Sequence, residues 1–160
     1  MNVPIRPGTP DDLPQALALI QELAEFEREP EAVETTVESM QQEGFDSDRP
    51  VFEFFVAEDG DKIVGLALYF YSYSTWKGKC LYLEDLIVTE AYRGQGLGRR
   101  LLDRIVAKAK EENAKRVVWQ VLDWNTPAIE FYKSLGADLL PEWITCRLNE
   151  EQIRDYKCVE

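Results

Sequence analysis

The sequence predicts an α+β fold, a mixed and mostly antiparallel sheet flanked by helices, in the order β-α-α-β-β-β-α-β-α-β. Three observations carry this expectation. Residues 51–88 follow strand periodicity and are broken by two turn sequences, Asp59-Gly60-Asp61 and Ser74-Thr75-Trp76-Lys77-Gly78-Lys79, which implies three antiparallel strands. The third strand gives way to the alternating glycines Gly94, Gly96 and Gly98, and a helical pattern begins at once. Past that helix residues 116–121 read as a strand again, parallel to the one before because a helical crossover joins them.

The elements follow in order. Residues 3–6 form a short first strand. Thr9 is placed as an N-cap, Pro10 at the first helical position and Asp12 beside the free amides. Leu13, Ala16, Leu17, Ile20, Leu23 and Ala24 make the buried stripe of this helix. Pro14 is tolerated because it lies near the first turn, and the helix halts before Pro30. A second helix is expected over 31–42, closed by Gly44, with a polar loop to Pro50. The strands are expected at 52–58, 62–73 and 80–88, with Gly65 marking a bulge or a close backbone approach. Leu97, Leu101, Leu102, Ile105, Val106 and Ala109 recur at helical spacing over 96–111. After the fifth strand, Thr126 reads as an N-cap with Pro127 behind it. Ala128, Phe131, Tyr132 and Leu135 share one face, and Gly136 ends the helix. Residues 142–148 are expected as a last strand, followed by a short helix capped by Asn149. No repeat, low-complexity segment or second domain is visible, so residues 1–160 are expected to form one domain.

Composition narrows the chemistry. The chain is 45% hydrophobic, enough for a sizeable core, and carries a net charge of −12. It has no histidine, which removes histidine-based triads and most zinc chemistry. Cys80, Cys146 and Cys158 are odd in number and widely spaced, without metal-ligand spacing, and suit a reducing compartment. With no long apolar run and no signal-peptide pattern, a soluble cytoplasmic protein is expected, without a membrane partner. Residues 1–61 hold sixteen acids against three bases, whereas residues 93–116 hold eight bases against three acids. So acidic a chain is a poor nucleic-acid partner. The asymmetry fits a cationic small molecule at an acidic mouth and an anionic group on the basic segment; it fits equally well acids that only confer solubility.

The glycine segment follows a β-branched run and opens a helix, so free N–H groups and the positive end of the helix dipole converge where glycine permits close approach. Arg93, Arg99 and Arg100 add positive charge, and the whole reads as a diphosphate seat. Neither the Gly-Lys-Ser/Thr of a P-loop nor the glycine spacing of a dinucleotide fold is present.

The string Arg93-Gly94-Gln95-Gly96-Leu97-Gly98 instead resembles the coenzyme A loop of the Gcn5-related N-acetyltransferases, the GNAT family. Further strings resemble its diamine (spermidine/spermine) branch and thialysine-acetylating relatives. They are Glu22-Leu23-Ala24-Glu25-Phe26-Glu27, Tyr73-Ser74-Thr75-Trp76-Lys77-Gly78, Tyr82-Leu83-Glu84-Asp85, Leu122-Asp123-Trp124-Asn125 and Phe131-Tyr132-Lys133-Ser134-Leu135-Gly136-Ala137. The resemblance spans essentially the whole chain and implies the acyl-CoA N-acyltransferase fold. It implies acetyl-CoA as co-substrate and no metal.

By the same resemblance, Gly94, Gln95, Gly96, Leu97, Gly98, Arg93 and Arg99 hold the diphosphate. Main-chain groups of Leu86, Ile87 and Val88 pair with pantetheine where a bulged fourth strand splays from the fifth. Asn125 and the backbone of Thr126, Pro127 and Ala128 complete the cofactor contacts, with the Tyr132 hydroxyl beside the thioester sulfur to protonate the departing thiolate. Phe26, Glu27, Trp76, Glu84 and Asp85 match amine-contacting positions, and Glu84 is the candidate for taking the amine proton through water. Read from the residues alone, Glu84 can equally be a strand acid paired with arginine, Tyr132 a core tyrosine, Trp76 a packing residue and Glu27 a solvated acid. Polyamine-acetylating members carry an acid where this chain has Ser74-Thr75. That departure favours a shorter amine, with a thialysine-like amino acid ahead of spermidine. Attack is expected to be direct, in a ternary complex, because no cysteine falls where an acyl relay would need one. A polypeptide amine as acceptor and a non-catalytic acetyl-CoA sensor remain as alternatives. The family is commonly dimeric, and residues 143–148 are the segment expected at a two-fold.

Overall fold

A computed structural model of the protein describes residues 2–159. They fall into two compact units that divide between Gln120 and Val121. The first holds one five-stranded sheet made of β1 (Ile5–Pro7), β2 (Glu53–Asp59), β3 (Lys62–Ser74), β4 (Gly78–Val88) and β5 (Val117–Val118), in that spatial order. Neighbours are antiparallel from β1 to β4, and β5 runs parallel to β4. The helices of this unit are α1 (Leu13–Phe26), α2 (Val37–Gly44) and α3 (Leu97–Glu111).

Alternation along the strands sorts the core into two layers. Phe54, Val56, Leu66, Leu68 and Ile87 pack with Leu13, Ala16 and Leu19 of α1 and Met40 of α2. Leu17, Ile20 and Leu23 lean on this cluster from its rim. The opposite face belongs to α3, whose Leu97, Leu101, Leu102, Ile105 and Ala109 are buried, while Val106 is exposed despite its helical spacing. Gly65 shows why a side chain is excluded there: a Cβ would stand 2.9 Å from Leu101 Cδ1 and 3.2 Å from Ala57 Cβ. The register between β2 and β3 also shifts beside it, between Ala57 and Glu58.

The N-terminal turn forms as the sequence implies. Asp12 accepts from the Thr9 amide at 2.8 Å and is itself held by Arg6, which also grips Glu58 at 2.8 Å. Gly60 takes φ +64 in the two-residue turn that pairs Asp59 with Lys62. The second helix begins six residues later than expected. Thr36 is its N-cap and accepts from the Ser39 amide at 3.1 Å, while Ser39 Oγ accepts from the Thr36 amide at 2.9 Å. Residues 27–36 therefore form a connection, not a helical start at Glu31.

The second unit contains α4 (Thr126–Ser134) and α5 (Glu150–Asp155). The cap of α4 is Asn125 and not Thr126, because the Asn125 side chain accepts from the Ala128 amide, at 3.4 Å. The helix closes with Gly136 at φ +83. The Gly136 amide donates to the Lys133 carbonyl and the Ala137 amide to the Tyr132 carbonyl, a Schellman ending. Asn149 caps α5 as expected, with reciprocal 2.8 Å bonds to Gln152. The last strand expected at 142–148 is not formed among the described residues, and the fifth is limited to two residues. A strand exists only where a neighbour satisfies its backbone. Here Trp143, Ile144 and Leu148 are exposed and no ladder includes them.

Candidate active site

The glycine loop lies between a 3₁₀ turn at Glu90–Tyr92 and the first turn of α3. Gly94 and Gly96 take φ +74 and +79, a region closed to most L side chains, and a Cβ on either would meet no atom within 4 Å. Packing therefore does not demand glycine here; conformation does, and the space above the backbone is open. Gly96 is the N-cap of α3 and offers no capping side chain, so the first amides of the helix face that space with the positive end of its dipole. Gly98 lies near Val88, with a Cβ position 3.8 Å from Val88 Cγ2. These features suit an anionic diphosphate. Arg99 is exposed and held by Asp103 at 2.9 Å one turn along the helix.

Beside the loop, β4 carries a bulge. Tyr69 pairs with Leu83 and Leu68 with Asp85, so Glu84 is the extra residue on the β4 side. The β4–β5 ladder consists of Leu81 with Val117 and Tyr82 with Val118 and goes no further toward Leu86, Ile87 and Val88. The parallel neighbour thus ends before the segment in which pantetheine-type pairing was expected.

The bulge gathers carboxylates. Glu84 is exposed and Asp85 half-buried. Glu27, the C-cap residue that follows α1, acts on both of them electrostatically from 57 positions before Glu84 in sequence. Burial, then Glu84 and then Glu27 push the Asp85 carboxyl up to about 6. Burial and then Glu84 raise Glu27 as well. Tyr82, stacked on Phe70 at 4.9 Å, is raised by burial and by the same Glu84 charge. The position of Glu27 is fixed by a tight helix ending, in which Arg28 takes φ +66 and the Glu29 amide returns to the Ala24 carbonyl at 2.9 Å. Such a cluster repels itself when empty and favours a cation. No group of three or more His, Cys, Asp or Glu is arranged to hold a metal ion among the described residues.

Phe26 and Arg93, expected on the amine and on the cofactor, lie against each other, with the guanidinium 5.6 Å from the ring centre. Arg93 Nε donates to the Val88 carbonyl at 2.8 Å and its terminal nitrogen to Glu22 at 3.2 Å. Glu22 was not singled out by sequence reasoning. Its signals were its place at the head of the string Glu22-Leu23-Ala24-Glu25-Phe26-Glu27 and its position one helical turn before Phe26. Trp76 stands at the β3–β4 turn, 77% exposed, and so does not close over a substrate slot in this structure. Ser74 is used locally: its Oγ accepts from the Lys77 amide at 3.1 Å and from Arg116 at 3.2 Å.

In the second unit, Asn125 holds the first turn of α4 with Thr126, Pro127 and Ala128 behind it. Tyr132 lies in the last turn of that helix, its ring 5.5 Å from that of Phe131.

The acetyltransferase (GNAT) family matches residues 16–137 of the chain. The chain is 37% identical to the thialysine N-epsilon-acetyltransferase of Bos taurus, over 96% of each protein. It is 38% identical to the human spermidine/spermine N(1)-acetyltransferase-like protein 1, over 94% of this chain but 23% of that protein. Among solved structures, an integron cassette protein from the mobile metagenome of V. cholerae superposes with a TM-score of 0.79 over 96% of both chains at 24% identity, a likeness of fold.

Proposed function

The chain belongs to the GNAT family of acetyltransferases, and from that premise we propose that it transfers the acetyl group of acetyl-CoA to a primary amine of a small cationic substrate. The observation that carries this reading is the carboxylate cluster of Glu27, Glu84 and Asp85 at a bulge that runs directly toward the glycine loop. An ammonium docked there relieves the mutual repulsion of the acids, and the aromatic face of Phe26 lies one residue from Glu27.

Family members use acetyl-CoA. In this chain the amides of Gly94, Gln95, Gly96, Leu97 and Gly98, with Arg99, are the groups that would hold its diphosphate. The freed edge at Leu86, Ile87 and Val88 would pair with the pantetheine amides. Asn125, Thr126, Pro127 and Ala128 complete the proposed contacts. When bound, acetyl-CoA supplies a thioester as acyl donor. The amine, with a pKa near 10, must lose a proton before attack, and Glu84 takes it through water from the exposed side of the bulge. The amine nitrogen would bond to the carbonyl carbon as the carbon–sulfur bond breaks, the Tyr132 hydroxyl would protonate the leaving thiolate, and the second proton lost by the nitrogen would return through solvent to restore the tyrosine.

The preferred acceptor is a short amine of the thialysine type, the substrate named for the bovine relative. Ser74 supports this, since a residue that caps its own turn presents no carboxylate to a distal ammonium. The exposure of Trp76 favours a second reading, a polypeptide amine as acceptor. In the same proposal residues 1–160 act as one domain in the cytoplasm, where the free thiols of Cys80, Cys146 and Cys158 are at home. The exposed Trp143, Ile144 and Leu148 support a homodimer. No helix among the described residues is long and apolar enough to cross a membrane.

Initial-rate kinetics with both substrates varied test the mechanism. Intersecting double-reciprocal lines are expected from a ternary complex; parallel lines would point to an acyl-enzyme relay and overturn direct attack.

A further inference from the structure

We propose that Glu22 is a positioning residue that clamps the amine-binding end of α1 to the start of the glycine loop. The inference rests on the acetyl-transfer reading above, and on one carboxylate that collects three donors from a single turn. Glu22 Oε2 accepts from the Thr89 hydroxyl at 2.9 Å. Its Oε1 accepts from the Glu90 amide at 3.0 Å and from Arg93 at 3.2 Å.

The turn does not cap itself. Thr89 is the N-cap of the 3₁₀ turn at Glu90–Tyr92, yet its side chain makes no capping bond and donates to α1 instead. The acceptor for the Glu90 amide is therefore supplied from another element, across 68 residues of sequence. The turn is closed underneath by Arg93 Nε on the Val88 carbonyl and by the Thr89 amide on the Val64 carbonyl at 3.0 Å. Val88 ends β4, and Gly94 follows Arg93 directly.

On the helix side, Glu22 and Phe26 are four residues apart and share a face. The same guanidinium that bonds Glu22 lies over the Phe26 ring, and Glu27 follows as the carboxylate of the cluster. From Phe26, which Glu27 follows in sequence, contacts thus run through Arg93 and Glu22 to the Glu90 amide of the turn that leads into the glycine loop. Charge-assisted bonds to a half-buried carboxylate are strong enough to fix that spacing. Releasing Glu22 frees two things at once: where Glu27 stands relative to the bulge, and how the loop enters its positive-φ residues.

The test combines amide exchange with kinetics on Glu22→Ala, Glu22→Gln and Thr89→Val. Glu22→Ala is expected to speed exchange at the Glu90, Tyr92 and Arg93 amides by about tenfold or more. It should raise KM for both amine and acetyl-CoA by about tenfold, with a smaller change in kcat. Glu22→Gln keeps one acceptor oxygen but loses the charge and the second acceptor, so it should recover only part of the loss, and Thr89→Val, which removes one donor, should be milder than Glu22→Ala. Unchanged exchange at the Glu90, Tyr92 and Arg93 amides in a folded Glu22→Ala variant, or a KM change confined to one substrate, would overturn the clamp. Wild-type protein that acetylates no amine would instead overturn the functional reading, and the exchange measurement would still decide the clamp.

Discussion

Glu84 and Asp85 are sequence neighbours with different surroundings: Asp85 pairs with Leu68 across the sheet, and Glu84 is the extra residue of the bulge, exposed to solvent. The bulge thus divides two adjacent acids into one that water can reach and one that burial penalises. If Glu84 is the base, Glu84→Gln lowers kcat by about 10² with little change in KM for the amine. Steady-state kinetics check this; a raised KM at unchanged kcat assigns Glu84 to amine binding alone.

Asp85 makes stability fall with pH. Its folded-state carboxyl titrates at about 6 against an ordinary value of 3.8. The folded chain therefore binds the extra proton between these values. The stabilising contribution is complete below pH 3.8 and is lost as pH rises through about 6. Asp85→Asn should raise the thermal midpoint at pH 7.5 by roughly 4 °C, equivalent to about 2 kcal/mol. The difference from wild type should vanish below pH 4, as thermal melts across pH would record.

Gly96→Ala separates fold from ligand. The open space around Gly96 means the substitution costs only its conformation, about 1 kcal/mol of stability. The new methyl would stand where the proposed diphosphate approaches, so acetyl-CoA affinity should fall by about tenfold or more in calorimetric titration.

Gly65→Ala reports on the core alone. A Cβ 2.9 Å from the fully buried Leu101 forces repacking between β3 and α3. Chemical denaturation should show a loss of about 1–3 kcal/mol, with the affinity for acetyl-CoA largely retained.

The legible parts of this chain are those fixed by local rules. Glycines at alternating positions before a 3.6-residue period located the loop and α3 to within a residue, and Gly65 was marked by its place in a strand. Where competing local signals were available, sequence reading went astray. The second helix was expected from residue 31, although Thr36 and Ser39 cap each other further on. Thr126 looked like a cap, although the amide side chain one residue earlier does the work. Residues 142–148 have strand composition, but pairing is a long-range property that composition does not contain. The meeting of Glu27 with Glu84 and Asp85 came from family resemblance and not from any period. Glu22 was missed because its donors lie 67 to 71 positions away.

The most direct measurement is thiol release from acetyl-CoA by purified protein offered thialysine, lysine, spermidine, putrescine and a lysine-containing peptide. The account predicts strong turnover on a short amine of the thialysine type, weaker turnover on spermidine and the peptide, and a loss of about 10² in Tyr132→Phe. Tight binding of acetyl-CoA with no amine acetylated would contradict it and leave a sensor in place of an enzyme.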